Sequence, residues 1–240
     1  MEKKKLVEIK RGEEGHGLLI EHDGYISVDC GNNKQLFESF RNLNENSEKP
    51  FHCPNPFVVD AVFQKFGIEN ANGRIYPEPV LKREVEKYQI KIQERRAIGE
   101  CNHPSESVID LSRVAINIIE LHWEGHTLVG KMEILVSEGF RKSGIISCQG
   151  DQVAHLLLSG IKIGVSSRGL GTVTNKMGVL YVGDDFEIVC WDVVSDPSTP
   201  QAWIAPEGQI QQQWVESNET TKNKSKLFEK LDKFNDWLND

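Results

Sequence analysis

An α+β fold, with a mainly antiparallel β-sheet or barrel core and flanking helices, is what this 240-residue chain predicts. Three observations lead there. Short apolar runs recur through the central part, separated by Gly, Asn and Asp clusters that make turns. Only two stretches of that part carry helical periodicity. No internal repeat is present, so the runs belong to one sheet-rich unit rather than an array.

The elements follow in order. Residues 1–54 are polar and broken by glycine and asparagine, with short strands expected near 18–21 and 25–29. Residues 58–63 read as a strand. Asn72-Gly73-Arg74 is turn chemistry, because Asn and Gly tolerate the positive φ of a tight reversal. A helix is predicted over 77–96, with proline at its start and Leu81, Val85, Tyr88 and Ile92 three or four residues apart. Residues 111–122 and 127–135 read as antiparallel strands around Trp123-Glu124-Gly125-His126. A second helix is expected over 151–159, then strands over 161–166 and 179–194, the latter broken near Gly183-Asp184-Asp185. Residues 209–223 resemble a linker. The last segment places Leu227, Leu231, Phe234, Trp237 and Leu238 on one helical face, which would dock on the body or on a second copy, making a homo-oligomer.

Composition narrows the class of protein. The net charge of −8 argues against nucleic-acid backbone binding, whose footprint is basic. Five widely spaced cysteines without a Cys-x-x-Cys pair suit neither a disulfide framework nor a zinc knuckle, and fit a reducing compartment. No stretch approaches the roughly 20 apolar residues of a membrane helix, and the charged start lacks the apolar run of a signal peptide. The expectation is a cytosolic protein with no membrane or nucleic-acid partner.

Three segments could carry chemistry. In Gly99-Glu100-Cys101-Asn102-His103-Pro104, proline biases His103 toward extended geometry and so displays the imidazole from a loop. A loop histidine bonded to backbone is the plainer reading of that segment alone. A Cys101–His103 pair is disfavoured, since side chains two apart on an extended segment point the same way without readily bonding. In Gly164-Val165-Ser166-Ser167-Arg168-Gly169-Leu170-Gly171, an apolar strand runs into two serines between glycines that would let a substrate backbone approach. It is neither a nucleophile elbow nor a phosphate loop. In Trp191-Asp192-Val193-Val194-Ser195-Asp196-Pro197-Ser198, an acid interrupts an apolar run, where it needs a partner such as a histidine N–H. An exposed edge aspartate reads as well locally.

Together these pieces resemble the prohead core protein proteases of T4-like tailed phages, related in fold to the herpesvirus proteases. The matching pattern is Asn72-Gly73-Arg74-Ile75-Tyr76-Pro77, Gly99-Glu100-Cys101-Asn102-His103-Pro104, Gly164 through Gly171, Asp192 through Ser198, and Ala202-Trp203, over roughly 55–206. Cys101 stands where the family has an apolar residue, and residues 1–54 and 137–151 carry no counterpart of the motifs. The resemblance implies a serine endopeptidase with His103 as base, Ser166 as nucleophile and Asp192 as third member; herpesvirus-type relatives use a second histidine there. Backbone N–H groups around Ser167 to Gly169 would form the oxyanion site, with Arg168 fixing that loop. Alternation along a strand leaves Ser167 for a structural role.

The resemblance further implies three regions: a polar arm or propeptide (1–54), the peptidase domain (55–206), and a linker with an amphipathic helix that self-cleavage would remove (207–240). It implies cleavage of phage capsid and scaffold (core) proteins after Glu in a Leu/Ile-x-Glu context, inside the assembling prohead in the host cytoplasm, with self-processing and without metal or cofactor. Leu6-Val7-Glu8, Leu19-Ile20-Glu21 and Leu227-Phe228-Glu229 are such triplets near the chain ends, although Ile92-Gln93-Glu94 within the predicted helix arises by chance. The rival from another class is a non-catalytic capsid-core or scaffold protein that kept the fold.

Overall fold

The computed structural model describes residues 7–21 and 53–209. Ten strands and three α-helices occur there: β1 Gly15–Ile20, β2 Phe57–Lys65, β3 Arg74–Ile75, α1 Glu78–Gln93, β4 Ile98–Glu100, β5 Val114–Glu124, β6 Thr127–Ile134, α2 Glu138–Ser143, α3 Gln149–Leu158, β7 Gly164–Lys176, β8 Val179–Val182, β9 Glu187–Val194 and β10 Ile204–Pro206. A 3-10 turn at Leu111–Arg113 precedes β5. The fold is α+β, as expected. The strand expected at 25–29 and the amphipathic segment after residue 223 lie outside the described residues.

The strands form two sheets. One runs β10-β2-β6-β5-β4 and is antiparallel throughout. The other runs β1-β7-β8-β3, with β9 also on β7; only β3–β8 is parallel. The sheets do not close into one barrel. They are stitched where β4 ends, by Asn102 N–H to the Val193 carbonyl (2.8 Å), and where β7 begins, by Val165 N–H to the Ala202 carbonyl (2.8 Å). Both stitches sit at the segments singled out for chemistry.

Side-chain periodicity explains the packing. The α1 residues Val80, Leu81, Val85 and Tyr88 are buried on one face, with Glu78 in the first turn and Lys91 in the last, matching the helix dipole. Their target is Trp191, fully buried and in edge contact with Tyr88 at 4.9 Å and Phe63 at 5.7 Å. Such aromatic pairs contribute about 1 kcal/mol beyond area burial. Trp191 thereby locks β9, and with it Asp192, against the helix.

α2 and α3 share one anchor, the buried Asp151. Its carboxylate accepts from the backbone N–H of Ser137 (2.7 Å) and Ser147 (2.8 Å) and from both serine hydroxyls. Burial works to raise the Asp151 carboxyl, but these bonds outweigh it and hold it down at about 2. Residues 137–151, which the motifs did not reach, are therefore a capping device for two helices.

One sequence expectation changes. Ser166 is the third residue of a 13-residue strand, not the last of a short one, and Ser167, Arg168 and Gly169 lie within β7 rather than in a loop. Flanking strands supply the reason: β9 pairs with 164–170 and β1 with 168–173, so ladders on both sides keep this glycine-containing segment extended. The glycines admit the protein's own atoms. A Cβ at Gly164 would stand 2.5 Å from Pro197 Cγ, and one at Gly169 would stand 2.4 Å from Phe186 Cε2.

Candidate active site

His103 lies in the loop after β4, as proline at 104 implies, and Asn102 before it adopts φ +66°. The imidazole is nearly buried and its Nδ1 lies 2.7 Å from Asp192 Oδ2. Asp192 is fully buried in β9. Its Oδ1 accepts from the Glu100 backbone N–H at 2.9 Å and from the Cys190 thiol at 3.2 Å. The loop and the strand are thus joined at backbone and side chain.

Arg168 completes this cluster from below. It is fully buried, with Nε 3.0 Å from Asp192 Oδ2 and a terminal nitrogen 3.3 Å from Glu100 Oε1. Residues 166 and 168 share one face of β7, and Ser166 is paired across the sheet with Asp192, so all three side chains gather on that face. Burial pushes the Asp192 carboxyl up, but the His103 bond and the Arg168 charge outweigh it and keep it below the usual carboxylate range. Arg168 hence supports the carboxylate and, by donating to the Glu106 carbonyl at 2.6 Å, the loop that carries His103. Glu100 and Cys190, not expected here, join the network; the one sequence signal for Glu100 is its place in the His103 motif, and Cys190 has none.

Ser166 is fully buried. Its hydroxyl donates to the Glu21 carbonyl oxygen, and no hydrogen bond among the described residues joins it to His103. Ser167, one residue on, alternates to the opposite face, and its carbonyl accepts the Glu21 N–H at 3.2 Å. The expected nucleophile and histidine thus converge on Asp192, while the serine itself is engaged by a segment of the chain's own N-terminal part.

That segment is β1. It runs antiparallel to β7, with Leu19 opposite Gly169 and Ile20 opposite Arg168. Leu19 is fully buried in the core and Glu21 is 1% exposed. The Glu21 carboxylate meets side-chain donors on both oxygens. Oε1 accepts from Arg74 at 2.9 Å and from the Tyr76 hydroxyl at 2.5 Å. Oε2 accepts from Asn70 at 2.7 Å, Asn72 at 2.6 Å and Ser198 at 3.1 Å. Burial works against the Arg74 charge, yet Glu21 beside it holds its pKa above the usual arginine value; burial, then Glu21, pushes the Tyr76 hydroxyl well up. Among the described residues no group of three or more His, Cys, Asp and Glu is arranged to hold a metal ion.

The motifs have counterparts in known proteins. The sequence profile of the prohead core protein serine proteases matches residues 18–216, taking in the end of β1 and Glu21, which the motif resemblance left out. The prohead core protein protease of Enterobacteria phage T4 is 27% identical over 187 residues, covering 77% of this chain and 84% of that protein. The solved structure of the bacteriophage T4 capsid assembly protease superimposes with a TM-score of 0.52 at 27% identity, covering 57% of this chain and 80% of that one. With the match spanning both sheets and every segment of the site, the chain belongs to the prohead core protein serine protease family.

Proposed function

We propose that the chain is a Ser-His-Asp endopeptidase that cuts phage capsid and core proteins after Glu, inside the assembling prohead in the host cytoplasm, and that it trims itself at the Glu21–His22 bond. The observation that carries this reading is the Glu21 carbonyl lying against the Ser166 hydroxyl, beside a His103–Asp192 pair. A carbonyl at the nucleophile, on a strand hydrogen-bonded alongside β7, is how a peptide substrate would lie.

In the proposed reaction Asp192 accepts the His103 Nδ1–H, which selects the tautomer whose Nε2 can take a proton. On a turn toward the histidine, the Ser166 hydroxyl gives up its proton and attacks the glutamyl carbonyl carbon. The imidazolium then protonates the leaving amine, and water repeats the sequence on the acyl-enzyme. Backbone N–H groups of the 167–169 stretch are the proposed oxyanion donors; loss of one such donor typically costs about 3 kcal/mol. The Arg168 cation keeps Asp192 ionised throughout.

The peptidase domain would span 55–206, with 1–54 an arm that delivers its own Leu19-Ile20-Glu21 triplet and 207–240 a tail removed after Glu229. Incubating wild type beside Ser166→Ala and Ser167→Ala and weighing the products tests the reading. New termini at His22 and Lys230 are expected for wild type, none for Ser166→Ala, and partial processing for Ser167→Ala. Equal processing by wild type and Ser166→Ala would sink it.

A further inference from the structure

We infer that Asn70, Asn72, Arg74, Tyr76 and Ser198 form the pocket that reads the glutamate side chain of the substrate, with Glu21 as its present occupant. The inference rests on the proposed site at Ser166. Its logic is positional. The residue whose carbonyl lies against the nucleophile is the residue whose side chain sets primary specificity, and at Ser166 that residue is Glu21.

The pocket suits a carboxylate and little else. All five groups act as donors, three to one oxygen and two to the other. A glutamine amide would turn an NH2 toward either set of donors and leave buried groups unmatched. Asn70 cannot relieve this by flipping, because its own Oδ1 already accepts the backbone N–H groups of Asn72 and Arg74, both at 3.0 Å. Aspartate is one methylene shorter and would not span both donor sets.

Arg74 also bonds the Ile9 and Ile20 carbonyls of the N-terminal part, but the turn and loop that carry the five donors are ordered by contacts of their own. Gly73 at φ +75° closes the turn, its N–H on the Asn70 carbonyl at 2.9 Å. β3, carrying Arg74, pairs with β8. The Tyr76 ring packs edge-on against Phe186 at 5.1 Å, and Ala71 N–H bonds the Ser198 carbonyl at 3.0 Å, docking the turn onto the 195–201 loop. Such advance ordering keeps selectivity from being lost to rearrangement on binding. The Asn72-Gly73-Arg74-Ile75-Tyr76 and Pro197-Ser198 motifs, idle in the chemistry, thereby acquire a task.

The test compares glutamate and glutamine at the cleaved position. Full-length chains carrying wild-type sequence, Glu21→Gln, Arg74→Gln or both are followed by mass spectrometry for the His22 terminus. A pair of internally quenched peptides spanning residues 16–26, with Glu or Gln at 21, is assayed alongside. Wild type should favour Glu by about 100-fold or more, as expected of a site built to bond a polar group. Arg74→Gln should bring that preference to within about tenfold, chiefly by losing Glu cleavage. An Arg74→Gln protein that melts as wild type does and keeps the full preference overturns the pocket. Should that variant fail to fold, Ser198→Ala, which removes one donor of five, is expected to lower the preference about threefold or more; an unchanged ratio overturns it equally. Wild type that cuts neither itself nor either peptide defeats the protease reading instead, and the pocket falls with it.

Discussion

Asp192 and Glu21 are both shut away from solvent beside a fully buried arginine, yet their surroundings differ in kind. Asp192 lies within β9, and its partners come from three neighbouring segments: Arg168 on β7, the Glu100 backbone on β4 and His103 in the loop. Glu21 directly follows β1, and its carboxylate partners are all side chains from the 70–76 turn and the 195–201 loop. Removing Asp192 would leave the Glu100 N–H, His103 and Arg168 without their shared acceptor; removing Glu21 would leave five donors on a turn and loop that have contacts of their own. One carboxylate is built into the machine, the other is held as a guest is held.

The comparison can be broken in order of expected effect. Asp192→Asn leaves the geometry but favours the wrong imidazole tautomer, and cleavage should fall by about 10⁴-fold. Glu21→Gln should stop the cut after residue 21 and, with the arm left attached as a competitor for the site, slow peptide cleavage far less than Asp192→Asn does. If Asp192→Asn cleaves at a near wild-type rate, the carboxylate is structural only.

Stability should separate the two arginines. Arg168→Met strands Asp192 and Glu100 without their shared cation and should cost about 3–5 kcal/mol in chemical denaturation. Arg74→Met should cost less in a chain already cut after Glu21, because its carboxylate partner can leave with the arm. An equal loss for both variants in the trimmed chain would mean that Glu21 is structural after all.

Steric crowding at the start of β7 comes next. Gly164→Ala puts a Cβ 2.5 Å from Pro197 Cγ and 2.6 Å from the Ala202 carbonyl, so backbone must shift at a cost of about 1–3 kcal/mol. Because those atoms border Ser198, selectivity for Glu should suffer with stability.

The smallest effect lies far from both carboxylates. Asp151, with its carboxyl lowered from 3.8 to about 2, contributes stability that is whole above pH 4. That contribution should fade between about pH 4 and 2, with a total on the order of 2 kcal/mol. Asp151→Asn should remove this acid limb from a pH–stability profile while leaving Glu preference untouched.

Much of this was legible in the chain. Alternation and turn residues located β2, β5, β6, β8 and β9 within a few residues, and periodicity located α1 and α3. Proline at 104 announced the loop of His103, and a carboxylate inside Trp191-Asp192-Val193-Val194 announced a partner. The short strands β3, β4 and β10 were not legible, because two or three residues carry no period. Nor was the extent of β7, since its glycines are poor strand formers and only the flanking ladders hold them extended.

Local pattern by itself determined the segments proposed to carry chemistry and, through motif order, the family. What tertiary structure alone decided is which groups meet. Arg168 and Arg74 are both arginines near glycine in sequence, and nothing local separates a cation under Asp192 from one facing Glu21. Cross-strand register makes the distinction: pairing Ser166 with Asp192 turns Arg168 inward, while β3 against β8 aims Arg74 at the far side of β7, where residue 21 arrives. Contacts separated by 50 residues or more, such as Arg74 to Glu21 or Ser166 to the Glu21 carbonyl, leave no periodic trace in a chain and exist only once the sheet has formed.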